Sequence, residues 1–178
     1  LLAATLIIAV YVHLYHNVRG DLELSLRNAL FQVTSLASTT GFVTVDYSAW
    51  HGLPRFILLL LMFVGGCGGS TSGGFKFMRV LLLLKGAYQE LFRIVHPRAV
   101  RRMKLGHTIV HQDVLLAVSR YLVIYLCLFV IFSAMLAAMG LDLATVLSSV
   151  IACLSCVGPG FGAVGPVDNY GALPEAAK

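Results

Sequence analysis

The sequence predicts an all-α membrane protein assembled from repeated units, each a helix, a short half-crossing helix and a second helix. Three observations lead there. Of the 178 residues, 58% are hydrophobic and only 12% charged, against about 25% charged in an ordinary soluble domain. Long uncharged stretches are interrupted by apolar helices too short to cross a bilayer. The sequence around two of those short helices also recurs at a fixed spacing. A chain this poor in polar surface excludes a disordered tail, a secreted disulfide scaffold and an ordinary cytosolic enzyme.

The elements follow in order. Residues 1–15 form an apolar run that spans only if it continues upstream. The chain has no initiator Met and stops just after an apparent helix start at Leu173 and Pro174, so it is expected to be a segment of a longer protein. A polar connector, residues 16–23, leads into a helix over residues 24–36. At 1.5 Å per residue that helix falls short of a hydrocarbon core of ~30 Å. It runs into Ser38, Thr39, Thr40, Gly41 and Phe42, a polar segment that regular helix does not suit. Beyond Asp46 and Trp50, Pro54 fits a first helical turn. Residues 56–75 then carry no charge, long enough for a span. Their second half holds Gly65, Gly66, Gly68, Gly69, Gly73 and Gly74 around Cys67, Ser70, Thr71 and Ser72. Six glycines in ten residues should break the helix. Helix is expected again over residues 75–95, and a basic loop over 96–111. Residues 121–141, without a charge, make the strongest full crossing. Residues 141–154 are a second short helix, with Ser25 and Asp142 as candidate N-caps of the two short helices. It ends in Ser155, Cys156, Val157, Gly158, Pro159, Gly160 and Phe161. The organisation is thus the end of one repeat (1–95), a basic loop (96–112) and a second repeat (113–178).

Charge gives the orientation. The net charge is +5, and eight of the 13 Lys and Arg lie between Lys76 and Lys104 with Glu90 as the one acid. Such a block beside apolar runs reads as a cytoplasmic loop by the positive-inside rule. Basic residues interleaved with aromatics on a soluble fold, as nucleic-acid binding would need, are absent.

The repeat can be counted. Residues 24–41 set against 141–158, an offset of 117, match at six of 18 positions, including Ser38/Ser155 and Gly41/Gly158. Leu53 and Pro54 match Leu173 and Pro174 at an offset of 120. Non-helical backbone at membrane depth survives where it is buried or lines a watery path. A half-crossing helix that hands over to an extended polar strand puts carbonyl oxygens there, able to replace the water shell of a bare cation. Its negative dipole end favours a cation at the same place. A cation filter built from residues 38–42 and 155–159 is one reading; two structural re-entrant loops are the other. Asp46 and Asp168 follow the two segments on the side opposite the basic loop, to concentrate cations at an outer mouth or to cap the next helices.

The glycine run does not fit a phosphate loop, because Phe75 precedes Lys76 and Phe77 follows it. Nor is it a dinucleotide fingerprint, since the third glycine position is Thr71. Ser70 as the nucleophile of an intramembrane serine hydrolase rests on G-x-S alone. An unwound loop inside a membrane helix, close under the filter, is the better reading; a gate and a carrier hinge fit it equally. Lys76 and Arg79 either snorkel or face water in a pore. His107 and His111 stand four apart without further metal ligands. Cys67, Cys127, Cys153 and Cys156 lie in apolar stretches and are expected to be buried free thiols, since Cys153 and Cys156 have no second pair for zinc.

Three segments carry a resemblance: Ser38 to Phe42, Gly68 to Lys76, and Val157 to Phe161 with Gly165 and Pro166 after it. In them the chain resembles the Trk/Ktr/HKT superfamily of potassium and sodium uptake proteins, and the bacterial Trk pore subunits most closely. The resemblance implies four helix–pore–helix repeats around one pore, each like a subunit of a simple potassium channel. This chain would run from the end of the third repeat's first helix through the fourth repeat's filter. Filter positions, and with them K+ coordination, fall on Thr39, Thr40 and Gly41 and on Cys156, Val157 and Gly158. The gating loop falls on residues 65–74. Cys156 departs from the pattern, because its side chain offers no oxygen. The resemblance further implies no enzyme activity and no cofactor, K+ as the transported ion, a homodimer in a bacterial inner membrane, and cytosolic nucleotide-binding regulatory subunits on the basic side.

Overall fold

In the computed structural model, residues 2–15, 22–50, 52–96, 104–105, 108–110 and 112–174 are described. They form six α-helices and, in the basic loop, one pair of two-residue strands. The strands β1 (Lys104–Leu105) and β2 (Thr108–Ile109) pair antiparallel, Lys104 opposite Ile109. His107 and His111, the connector residues 16–21 and residues 175–178 lie outside the described residues.

Helix α1 (Leu2–Tyr15) turns Thr5, Ile8, Ala9 and Val12 inward at helical spacing, while Leu2, Leu6, Val10 and Leu14 stay exposed. A helix apolar on both faces suits a lipid surround. Its one buried hydroxyl, Thr5 Oγ1, donates to the Leu2 carbonyl at 2.7 Å. Helix α2 (Leu22–Ala37) packs on α1, burying Ser25, Ala29, Gln32, Val33 and Leu36. With 16 residues it extends about 24 Å, short of a full crossing. The cap assignment for Ser25 is corrected here: the helix begins three residues earlier, at Leu22, and Ser25 is a buried interior residue. Asp142 does cap its helix, accepting from the Ala144 N–H at 3.2 Å.

The uncharged stretch at 56–75 is not one continuous helix. Helix α3 (Leu53–Val64) has Pro54 in its first turn and ends after 12 residues at Gly65. The chain unwinds over 65–76 and resumes as α4 (Phe77–Val95), two residues later than the sequence suggested. Charged residues proved no barrier at the start of α5 (Gln112–Ala138). It begins nine residues before the uncharged window and stops at Ala138, three residues short of the window's end. Its segment Asp113–Ala138 is the one stretch among the described residues long and apolar enough to cross a membrane. Little of it is covered by the rest of the chain, and Val123, Ile124, Val130, Ile131 and Met135 are exposed. Helix α6 (Leu143–Leu154) is again a half crossing of 12 residues.

The packing repeats as the sequence does. α2 lies on α1 as α6 lies on α5, and the contact of α3 with α6 joins the two units. The main core gathers Ile8 and Val12 of α1, Val33 and Leu36 of α2, Leu58 and Met62 of α3, and Ile151 and Val157 at the end of α6. A second cluster, Phe75, Leu82 and Val118, ties α4 to α5.

Asp142 is the sole side-chain cap identified on a long helix among the described residues. In the intact protein, Asp142→Ala should lower stability by about 1 kcal/mol, read as a fall in melting temperature in detergent. Asp142→Asn should keep most of it, and a loss no smaller than alanine's would mean the cap is not what stabilises α6.

Candidate functional site

Both half-crossing helices end in the same way. After α2, the Thr39 N–H donates to the Leu36 carbonyl at 3.2 Å and the Thr40 N–H to the Ser35 carbonyl at 2.9 Å. After α6, the Cys156 N–H donates to the Cys153 carbonyl at 3.1 Å and the Val157 N–H to the Ala152 carbonyl at 2.9 Å. This is the paired 5→2 and 6→1 bonding of a Schellman C-cap, which places one residue in the left-handed region, usually a glycine. Here Thr39 (φ 58°) and Cys156 (φ 54°) occupy that place, at a cost of roughly 1–2 kcal/mol each. Two residues on, Gly41 (φ 76°) and Gly158 (φ 105°) are left-handed again. The offset of 117 counted in the sequence thus recurs in the backbone, residue by residue.

The two turns meet. A Cβ added to Gly41 would collide with the Val157 carbonyl oxygen and lie 3.1 Å from Pro159 Cδ. Only a glycine allows one turn so close to the other. Gly158 has open space around its Cα, so its demand is conformational alone. Among the described residues, the carbonyls of Thr39, Thr40, Gly41, Cys156 and Val157 accept no hydrogen bond from the protein. Both helix C-termini, each the negative end of a helix dipole, point into this region. Ser38 and Thr40 share a hydrogen bond between hydroxyls at 2.7 Å. Phe42 is an exposed side chain whose carbonyl accepts from Ser35 Oγ at 2.7 Å, so it contributes no free oxygen.

Residues that sequence reasoning missed hold these turns in place. The fully buried Gln32 amide faces the strand after the first turn. With its carbonyl oxygen toward that strand, it accepts from Thr44 N–H at 3.1 Å and Val45 N–H at 3.2 Å. On α6, Ser148 Oγ accepts from the Phe161 N–H at 2.9 Å and donates to the Phe161 carbonyl at 3.1 Å. Thr145 Oγ1 accepts from the Ala163 N–H at 3.1 Å. The buried Tyr47, from the first unit, donates its hydroxyl to the Gly160 carbonyl of the second at 3.2 Å and packs edge-on against Phe161. Burial pushes the Tyr47 phenol well above its ordinary value, so it stays a donor. Tyr170 donates to the Gly158 carbonyl at 2.7 Å. Polar residues on the buried faces of short apolar helices were the available signal.

The glycine run lies beneath both turns. Gly66 approaches the Ala37 carbonyl at the end of α2, the added Cβ standing 3.7 Å away. Gly73 sits against the Ser155 carbonyl, and Gly74 against Ser155 Oγ at 3.2 Å from an added Cβ. The run is a closed loop, pinched where the Phe77 N–H donates to the Gly66 carbonyl at 3.0 Å. Cys67, Gly68, Gly69, Ser70 and Thr71 form its exposed part. Lys76 Nζ crosses the loop to the Ser70 carbonyl at 2.8 Å. The Arg79 guanidinium lies 4.0 Å over the Tyr121 ring of α5. Lys76 therefore braces the loop and Arg79 braces α4 on α5, and among the described residues neither side chain bonds the two turns.

Asp46 caps the short 3-10 turn Tyr47–Ala49 through the Ser48 N–H at 2.9 Å. Asp168 is exposed, and its carboxylate and Ser48 Oγ both lie close to Gly165. The four cysteines are free, as expected, but all four are exposed rather than buried. Cys127 sits in a helix little covered by the chain, and Cys153 and Cys156 sit on the open side of α6 and its turn. Among the described residues no three His, Cys, Asp or Glu gather as a metal cluster. What the site offers a cation is backbone oxygen.

Comparison with known proteins fits this geometry. A family model described as TrkH, cation transport protein, matches residues 3–177. The chain is 39% identical over 178 residues to the Trk system potassium uptake protein TrkH of Halomonas elongata, all of this chain and 36% of that protein. It is 38% identical over 172 residues to the protein of the same name from Escherichia coli, 97% of this chain and 35% of that one. The crystal structure of the potassium transporter TrkH from Vibrio parahaemolyticus superimposes with a TM-score of 0.87 at 35% identity, over 99% of this chain and 37% of that chain. The chain thus spans about a third of the length of the relatives it matches.

The two glycines should respond unequally. Gly158→Ala meets only an unfavourable φ and should cost roughly 1–2 kcal/mol. Gly41→Ala adds the clash with Val157 and should cost clearly more. Melting temperatures of the two variants of the intact protein, side by side, test this; equal losses would mean the two turns do not touch.

Proposed function

The chain belongs to the TrkH family of cation transport proteins, and from that membership we propose that it forms part of a potassium-conducting pore in a bacterial inner membrane. One observation supports this above the rest: two equivalent turns, alternating left-handed residues with ordinary ones, meet at Gly41 and Val157 with unpartnered carbonyls. In a plain strand successive carbonyls point to opposite sides. Reversing the handedness at every second residue turns them to one side, toward an ion path. A K+ ion stripped of water takes oxygens of Thr39, Thr40, Gly41, Cys156 and Val157 in place of its hydration shell. The carbonyl of Gly158, expected to join them, is taken by the Tyr170 hydroxyl. Cys156 serves through its backbone, which removes the objection that its side chain lacks oxygen. The remaining oxygens around the ion come from the rest of the full-length protein.

The loop over residues 65–74 acts as the gate beneath the filter. Its contacts with Ala37 and with Ser155 support that role, and its tip, Cys67 to Thr71, is exposed. Lys76 holds it in one position, and Asp46 and Asp168 add negative charge on the outer side. The same reading carries K+ as cargo, a lipid-embedded homodimer, and cytosolic nucleotide-binding subunits that dock near the basic residues 96–112. A broken-helix secondary carrier is the second reading, and the interruption between α3 and α4 is what favours it. Strictly coupled flux without channel-like currents would mark it. Ser70, on which a serine hydrolase would depend, has the Ser72 N–H as its side-chain partner, and the relatives are named as transporters.

Rubidium uptake by the intact protein, in cells lacking other potassium systems, tests the filter and the gate together. Gly41→Ala should cut uptake by about tenfold or more, the factor that about 1.4 kcal/mol of lost coordination gives. Unchanged uptake and ion preference would sink the filter. Shortening the loop between Gly68 and Gly74 should raise flux, and unchanged flux would count against a gate.

A further inference from the structure

One side chain touches the glycine loop at both of its hinges and the second turn at its base. Tyr125 lies on α5, in neither. Phe63, at the end of α3 just before the loop, meets the Tyr125 ring edge-on with centroids 5.2 Å apart. Phe75, where the loop closes toward α4, packs against the same ring at 6.2 Å. The two hinges are joined to each other by the Phe75 N–H donating to the Phe63 carbonyl at 3.4 Å. The Tyr125 hydroxyl shares a buried hydrogen bond of 3.0 Å with Ser155 Oγ. Ser155 is the residue before the left-handed Cys156, and both its carbonyl and its hydroxyl lie against the loop, at Gly73 and Gly74.

The geometry points to Tyr125 as a positioning residue that couples the loop to the second turn. The inference rests on the pore reading and goes beyond it, by naming the group through which gate and filter sense each other. The ring registers where the hinges stand, because moving Phe63 or Phe75 opens a gap in a dense aromatic contact. The hydroxyl passes that position to Ser155, whose orientation sets the peptide leading into Cys156. Among the described residues the first turn has no such device: at Ser38, the equivalent of Ser155, the hydroxyl bonds its own helix end at the Thr34 carbonyl and Thr40 Oγ1. The loop therefore acts on the two turns unequally, and the second is the one that answers it.

The test uses Tyr125→Phe, which keeps the ring and removes the hydroxyl, and Ser155→Ala, which removes the partner. Both are made in the intact protein, and rubidium and sodium uptake are measured in the same cells. Each should lower the rubidium-to-sodium preference by about fivefold, the worth of one hydrogen bond. The double variant should be no worse than either single one, because both remove the same bond. Ser155→Thr, which restores a hydroxyl, should recover much of the preference. A merely structural role would lower melting temperature and total uptake with the ion ratio unchanged, and that result overturns the inference, as do additive effects. If Tyr125→Phe does not fold, Ser155→Ala and Ser155→Thr carry the same decision. Gly41→Ala run in parallel separates the two claims. Its loss of uptake with a silent Tyr125→Phe rejects only the coupling, whereas full uptake in Gly41→Ala rejects the pore reading itself.

Discussion

Gly41 lies directly against the Val157 carbonyl, and the rest of the chain is arranged to make that approach possible. Two peptide segments with free carbonyls repel each other unless something outside them holds them together. Here the holding is done from behind. Gln32, Thr145 and Ser148 grip the returning strands from the half-crossing helices. Tyr47 reaches from one unit into the other, and α3 packs on α6 to join the units. A backbone ladder would have consumed the carbonyls; side-chain grips leave those of Thr39, Thr40, Gly41, Cys156 and Val157 free among the described residues. The buried hydroxyls and the amide are stabilising only as pairs, since a partner left alone in this apolar setting costs about 1–3 kcal/mol.

The two half-crossing helices, of 16 and 12 residues, and the 27-residue α5 solve different problems. α5 turns apolar side chains outward along its length and needs no polar partner on that surface. α2 and α6 are the reverse, with Ser25, Gln32, Ser35, Thr145, Ser148 and Ser149 buried on their inner faces. Hydroxyls at helix-interior positions also bond their own preceding turn, as Ser149 does with the Val146 carbonyl at 3.0 Å, so they tolerate an apolar neighbourhood. The left-handed Thr39 and Cys156 are the residues whose strain is stored in this arrangement, and strain of that kind persists where surrounding contacts over-determine it.

Much of the fold was legible because it rests on local signals. The 117-residue offset foretold the equivalence of the turns, the glycine density foretold the break after Val64, and Asp142 read correctly as a cap. Ser25 did not, since a good capping residue type is no proof of a helix start when apolar residues precede it. The uncharged window misplaced α5, because helix continues through charged residues at a membrane's edge. Exposure of Cys127 was missed for a related reason, since apolar sequence means burial in water but not in lipid. Cys67 and Cys156 are exposed because they stand in turns, not in packed helix. The grips on the turns were invisible for a different one. Tyr47 and Gly160 stand 113 positions apart, and Tyr125 and Ser155 stand 30 apart. Nothing in either neighbourhood announces the other.

The pinch between the Phe77 N–H and the Gly66 carbonyl has a consequence for descent. It fixes where α3 stops and α4 starts, whatever lies between. Residues inside the pinch can then be added or lost without moving either helix, and a flexible segment pays only about 0.6 kcal/mol for each doubling of its length. Only the exposed tip, Cys67 to Thr71, has that latitude, because Gly73, Gly74 and Phe75 inside the same pinch are committed to Ser155 and Tyr125. Variation in length among descendants should therefore concentrate in that tip.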